Sequence, residues 1–187
     1  MSSTLVTLVS VAAIGTFMVV AQLSRMRGRA RRGETLARSR GLAHYVAYFF
    51  VVPYVVIAAR PGPEVDVPEP IRWVGLALIV LGVAFALWAI ATLGRHYDLE
   101  LEIHRDHELV RGGPYRLVRH PIYTGLVLHF AGTCLATGNL VLIAGTLLVT
   151  VPALYLRAKT EERLLREQFG PAYDAYAREV GMLVPLL

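Results

Sequence analysis

The sequence predicts an all-α integral membrane protein with about five transmembrane helices. Charge distribution is the first reason. No Asp, Glu, Lys or Arg occurs in Met1–Ser24, from Gly41 to Ala59, from Trp73 to Gly94 or from His120 to Leu156. About twenty residues at 1.5 Å rise cross a hydrocarbon core of about 30 Å, so each block is long enough to span a bilayer. Composition is the second. Mean hydropathy is +0.50; with glycine counted and tyrosine left out, about 59% of the chain is apolar, against about 45–50% in soluble domains. A helix of a soluble domain also carries a polar face, which these blocks lack.

The elements follow in order. The first span is expected over 4–23. No basic residues precede its apolar run and an arginine cluster follows it, the pattern of a retained anchor rather than a cleaved leader. The second is expected over 42–59 and the third over 71–93. The last block, 120–156, is too long for one span and is broken by Gly138-Asn139, a turn dipeptide. It reads as a helical hairpin of spans 121–137 and 140–156. One membrane domain thus accounts for residues 1–187, with polar chemistry left for 94–123 and 157–187.

Basic residues orient the chain, because short cytoplasmic loops retain Lys and Arg. Seven arginines lie between Arg25 and Arg40, five between Arg95 and Arg119, and five basic residues between Arg157 and Arg178; only Arg60 and Arg72 fall on the other side. The expectation is an outward N-terminus, with segment 94–120 and the tail in the cytoplasm. The basic charge is then a topology signal in contact with anionic lipid, and nucleic acid is not an expected partner.

Function classes narrow further. The uncharged blocks that form the spans hold no Asp, Glu, Lys or Arg of the kind that marks an ion path, and there is no internal repeat, which argues against a transporter. Cys134 is the one cysteine and is expected to be structural. The six histidines form no repeated His-x-x-His-His cluster, so a di-iron site is disfavoured and no metal is expected. No strand–Gly-x-Gly-x-x-Gly–helix unit is present, which excludes a soluble-type nucleotide fold.

Chemistry is concentrated in two pieces. In the first, Leu99, Leu101 and Ile103 alternate with Glu100, Glu102 and His104 in a short extended pattern, and Gly112-Gly113-Pro114 forces a turn. Pro121 then opens a helix where its missing N–H is harmless. His120 and Tyr123 are three residues apart and share a face at the membrane boundary. In the second, Arg157 and Glu161 lie one helical turn apart, with Glu162 expected as an exposed neighbour about 100° away. Tyr173, Tyr176 and Val180 follow Phe169 at helical spacing and are expected to pack the tail onto the domain.

Gly113-Pro-Tyr-(x)3-Arg-His-Pro-Ile-Tyr-Thr-Gly125 resembles the signature of the isoprenylcysteine carboxyl methyltransferase family and its phospholipid methyltransferase relatives. Arg157-Ala-Lys-Thr-Glu-Glu-Arg-Leu-Leu-(x)3-Phe-Gly-Pro-Ala-Tyr-(x)2-Tyr176 looks like that family's C-terminal motif. The resemblance implies an integral-membrane methyltransferase that uses S-adenosyl-L-methionine and a lipophilic acceptor. It also implies a cytoplasmic cofactor-binding segment and a C-terminal cytoplasmic helix. By position, the family's cofactor contacts fall on His107, Leu109, Val110, Tyr115, His120, Pro121, Tyr123 and Glu161, with Glu108 and Ile122 inside the same stretches. A further polar contact falls on Glu100, where relatives can carry an amide. The arginine that holds the acceptor carboxylate matches Arg157.

The residue types suit these roles. The cofactor carries an ammonium, a carboxylate, a purine and a sulfonium, and its site needs an acid, hydrogen-bond donors and aromatic walls. Glu161 supplies the acid, His120 the donor, Tyr115 and Tyr123 the aromatic surface. The alternatives are methylation of a phospholipid amine or of a small molecule on nitrogen or sulfur, a sterol-type reductase using NADPH, and a non-catalytic membrane scaffold. The scaffold explains the spans but not the paired motifs.

Overall fold

The computed structural model describes residues 3–29, 35–39, 62–94, 97, 101–104 and 109–185. The expected span 42–59 lies outside the described residues, as do Glu100, His107 and Glu108.

Helix α1, Ser3–Arg29, carries its buried residues on one stripe, Val6, Ser10, Ile14, Phe17 and Ala21, while Leu8, Val19 and Leu23 are exposed on other faces. The spacing of four, four, three and four follows the helical period. Helix α2, Glu69–Leu93, begins with Pro70 in its first turn and is closed by Gly94 at φ 53°, whose N–H bonds the Ile90 carbonyl. It runs antiparallel to α3, Pro121–Thr137, which has the bounds expected from the sequence.

Four glycines set the α2–α3 approach. Gly75 faces Gly132, and Gly82 faces Gly125, each pair seven residues from the next along its own helix. A methyl group at Gly82 would sit 2.5 Å from the Gly125 carbonyl oxygen, and one at Gly75 would sit 2.6 Å from that of Gly132. Small residues allow such contact, and dispersion between backbones drives helix association where lipid is as apolar as the side chains. Any larger residue at these positions separates the helices. Polar contacts add to the packing: Ser10 Oγ lies 3.0 Å from Thr133 Oγ1 and 3.5 Å from His129 Nε2, all three buried between α1 and α3.

The hairpin turn follows directly. Gly138 takes φ 68°, and the Asn139 side chain then caps the next helix by accepting from the N–H groups of Val141 and Leu142. That helix, α4, runs from Leu140 to Phe169. It contains a π-helical turn at Thr146–Thr150, just before Pro152, a residue without the N–H that a regular helix would offer to the Leu148 carbonyl. The buried positions of α4 include Leu142, Thr146, Thr150, Leu154, Ala158 and Glu162, one in every four. In a regular helix that spacing drifts about 40° per step, and the wider turn takes back part of the drift. Residues beyond Pro152 thereby stay turned toward α3.

Helix α5, Pro171–Glu179, follows Gly170 at φ 50° and buries Tyr173 and Tyr176, as expected for a tail packed on the domain. Strands Thr35–Ser39 (β1) and Leu101–His104 (β2) form an antiparallel ribbon, with Arg38 opposite Glu102. The core gathers Ile14 and Phe17 of α1, Val83, Ala86 and Ile90 of α2, Leu126 and Phe130 of α3, and Leu142 and Leu154 of α4.

Among the described residues, three helices are long and apolar enough to cross a membrane: Thr4–Arg27, Glu69–Leu93 and Leu140–Phe169. Their exposed leucines, valines and tryptophans, among them Trp73, Leu81, Trp88, Leu147 and Leu148, would be costly in water and are at home in lipid. The 17 residues of α3 sit at the short limit for a span and pack lengthwise on α2. Beyond the apolar stretch expected over 140–156, α4 continues for more than three further turns and carries Arg157, Glu161 and Glu162 out of its apolar part.

Candidate active site

Two segments converge where α3 begins and α4 leaves its apolar stretch. The first is the Arg119-His120-Pro121 corner. Its backbone is pinned by the chain after α5: Arg119 N–H donates to the Gly181 carbonyl at 2.8 Å and His120 N–H to that of Met182 at 3.0 Å. The Thr124 hydroxyl donates to the Leu183 carbonyl at 2.8 Å. Just upstream, Gly113 at φ 56° starts a 3₁₀ turn, Gly113–Arg116, that buries Pro114 and Tyr115, and the Tyr176 hydroxyl of α5 donates to the Tyr115 carbonyl at 2.6 Å.

Across this corner lies the charged part of α4. Arg157, buried at 7% exposure, donates through Nε to the Tyr123 hydroxyl at 2.9 Å, and that hydroxyl donates to Glu161 Oε2 at 2.8 Å. The His120 ring stacks on Tyr123 with centroids 5.6 Å apart and planes 12° apart, and its Nδ1 lies 3.7 Å from the same Glu161 oxygen. Glu161 keeps 34% of its side chain open while His120 keeps 4%. One partly open carboxylate is thus framed by a phenol, an imidazole and a guanidinium.

Of the sequence-predicted residues, the structure brings His120, Tyr123, Arg157 and Glu161 together. Pro121 is buried directly beneath the corner as the first residue of α3, and Ile122 and Tyr123 pack half-buried against the core. Leu109 and Val110 are half-buried on the approach to the Gly113 turn. Burial raises the Tyr115 hydroxyl well above its usual range, and the Glu161 carboxylate adds to the rise. Burial likewise pushes Tyr176 up to about 12. Both stay neutral donors throughout the physiological range. Among the described residues, no three His, Cys, Asp or Glu side chains gather to hold a metal ion. Cys134 is buried, with its Sγ 3.3 Å from Thr146 Oγ1.

The expectation for Glu162 is overturned. It is 1% exposed, and its Oε1 takes two hydrogen bonds from Arg119, at 2.7 Å from Nε and 2.5 Å from Nη2. Burial disfavours its charge, but His120 and Arg119 together hold the carboxyl down at about 2. The pair therefore stays ionised at physiological pH, and its contribution is lost progressively as pH falls from the ordinary glutamate range through about 2. Glu162 is covered beside a partly open Glu161 because α4 is enclosed on one side by α3 and on the next by the corner and α5. A signal was present in the sequence: Glu162 continues the four-residue series of Leu154 and Ala158.

Comparison with known proteins matches residues 70–172, just over half of the chain, to the phospholipid methyltransferase family. The chain belongs to that family. The matched stretch of this family member contains α2, the corner, α3, all of α4 and the start of α5. Similar relatives include a probable protein-S-isoprenylcysteine O-methyltransferase of Oryza sativa subsp. indica, 32% identical over 127 residues, which are 67% of this chain and 66% of the relative. The protein-S-isoprenylcysteine O-methyltransferase of Schizosaccharomyces pombe is 37% identical over 114 residues, 60% of this chain and 48% of the relative. A methanethiol S-methyltransferase of a Pseudomonas species is 38% identical over 71 residues, 38% of this chain and 26% of the relative. The chain thus spans just under two thirds of the rice relative and about half of the yeast one.

Proposed function

We propose that the chain is an integral-membrane methyltransferase that takes its methyl group from S-adenosyl-L-methionine and delivers it to a lipophilic acceptor bearing a carboxylate. The observation that carries this reading is the Arg157–Tyr123–Glu161 chain at the membrane end of α4, which sets a cation and a partly open anion one helical turn apart. The residues suit the cofactor: Glu161 for its ammonium, His120 and Tyr115 as donors, and the stacked His120–Tyr123 pair as an aromatic wall. When bound, the cofactor supplies a sulfonium methyl that is already activated, so the protein's task is alignment and exclusion of water rather than proton removal. Arg157 anchors the acceptor anion, and Tyr123 ties that anchor to Glu161. The open face of α4 gives a hydrophobic acceptor access from the bilayer, while Glu161 faces the aqueous side.

The same proposal places about five spans in the single domain, the N-terminus outside, and the site in the cytoplasm, on the strength of the basic-residue split. In a Cys134→Ala background, cysteines at Gly33 and Ala172 are expected to label only from the cytoplasmic side, and one at Glu64 only from outside. Reversed labelling would put the site in the wrong compartment. Purified protein is expected to bind S-adenosyl-L-methionine in calorimetry and to ignore NADPH; the opposite preference would favour the reductase. The Pseudomonas relative supports a second reading, methylation of a small thiol, which would not call for an anion-binding arginine.

A further inference from the structure

Glu162 and Arg119 form the most heavily bonded ion pair described in the protein. Arg119 gives Nε and Nη2 to Glu162 Oε1, and Nη1 to the carbonyls of Ala177, at 3.0 Å, and Val180. Arg166 approaches the other Glu162 oxygen at 3.4 Å. A single guanidinium therefore joins α4, the C-terminal turn of α5 and the chain that pins the corner. A buried ion pair is a poor source of net stability, because removing two charges from water offsets much of their attraction. Such a pair suits a role in specificity better than one in stability.

The geometry supplies such a role. Arg119 and His120 are neighbours on the corner, and Glu162 and Glu161 are neighbours on α4. His120 sits between the two acids, with Nδ1 3.7 Å from Glu161 Oε2 and Nε2 3.6 Å from Glu162 Oε1. Its face is fixed by Tyr123 and its backbone by Met182. One edge of the imidazole thus faces the partly open carboxylate, while the other, whose Nε2 makes no hydrogen bond among the described residues, faces the buried one at ion-pair distance. We infer that Glu162 is a positioning residue: together with Arg119 it orients His120 and fixes the spacing between His120 and Glu161. Tyr173, fully buried with its ring under the Arg166 guanidinium at 5.4 Å, packs α5 against the same Arg166 that approaches Glu162.

The inference rests on the proposed cofactor site, and the experiment separates the two. Binding of S-adenosyl-L-methionine is measured by calorimetry in the wild type first; absence of binding there would count against the site itself. Glu162→Gln, which keeps the shape and removes the charge, is expected to weaken binding at least 10-fold in the wild-type background. In a His120→Ala background the same change is expected to have less than a 2-fold effect, because its action runs through the imidazole. If Glu162→Gln does not fold, Arg119→Lys, which retains charge but loses the two-pronged grip, is read in the same two backgrounds. Equal losses in both backgrounds would show a merely structural role and overturn the inference. So would no loss in either.

Discussion

Replacement of Arg157 by lysine or by alanine is expected to lower kcat/KM for an anionic acceptor by about 10²-fold, with S-adenosyl-L-methionine binding near normal. The size corresponds to about 3 kcal/mol, the upper range for loss of a charged hydrogen-bonding partner in a desolvated site. Lysine should not rescue, because a planar guanidinium can hold a carboxylate by two parallel hydrogen bonds and still donate Nε to Tyr123, whereas an ammonium is a single point donor. Since the Tyr123 hydroxyl also reaches Glu161, Tyr123→Phe is the control: it cuts the link without removing either charge. Wild-type efficiency of both Arg157 variants toward an acceptor with a free carboxylate would reduce Arg157 to an interfacial anchor.

Glu161→Ala is expected to weaken cofactor binding about 10-fold or more. A hydrogen bond to a charged group contributes about 1.5–3 kcal/mol, and the lower end applies where a third of the side chain meets water. The truncation also frees the Tyr123 hydroxyl and removes the anion beside His120. Calorimetry on folded protein gives the number, and unchanged affinity would take Glu161 out of the site. The two substitutions should separate, Arg157 acting on the acceptor and Glu161 on the cofactor.

Much of this arrangement was legible in the residues. Pro121 and the Gly138-Asn139 dipeptide marked both ends of α3, since each has a strong local preference that tertiary packing had no reason to override. The pairing of His120 with Tyr123, and of Arg157 with Glu161, followed from helical spacing alone. Other features depend on which segments meet. Charge marks where the apolar stretch of the last span ends, but not that one helix, α4, runs unbroken through Pro152 to Phe169, its π turn absorbing the proline while α3, α5 and the corner cover the charged part. The partner of Leu101–His104 is a strand more than sixty residues earlier, a pairing that local alternation cannot specify. Glu162 was read as exposed because one helix considered alone has a free side. The glycines at 75, 82, 125 and 132 were visible, but their meaning appears only when two helices are laid antiparallel.

The most direct measurement is methyl transfer by the purified protein in lipid nanodiscs. It would be supplied with isotopically labelled S-adenosyl-L-methionine and offered in turn a prenylated cysteine with a free carboxylate, a phospholipid amine and a small thiol. Products would be identified by mass and by sensitivity to alkaline hydrolysis. The account predicts labelled methyl ester on the prenylated carboxylate, abolished when that carboxylate is amidated. Exclusive methylation of the thiol or the amine would contradict the acceptor assignment, and failure to label any of the three while binding NADPH would contradict the account as a whole.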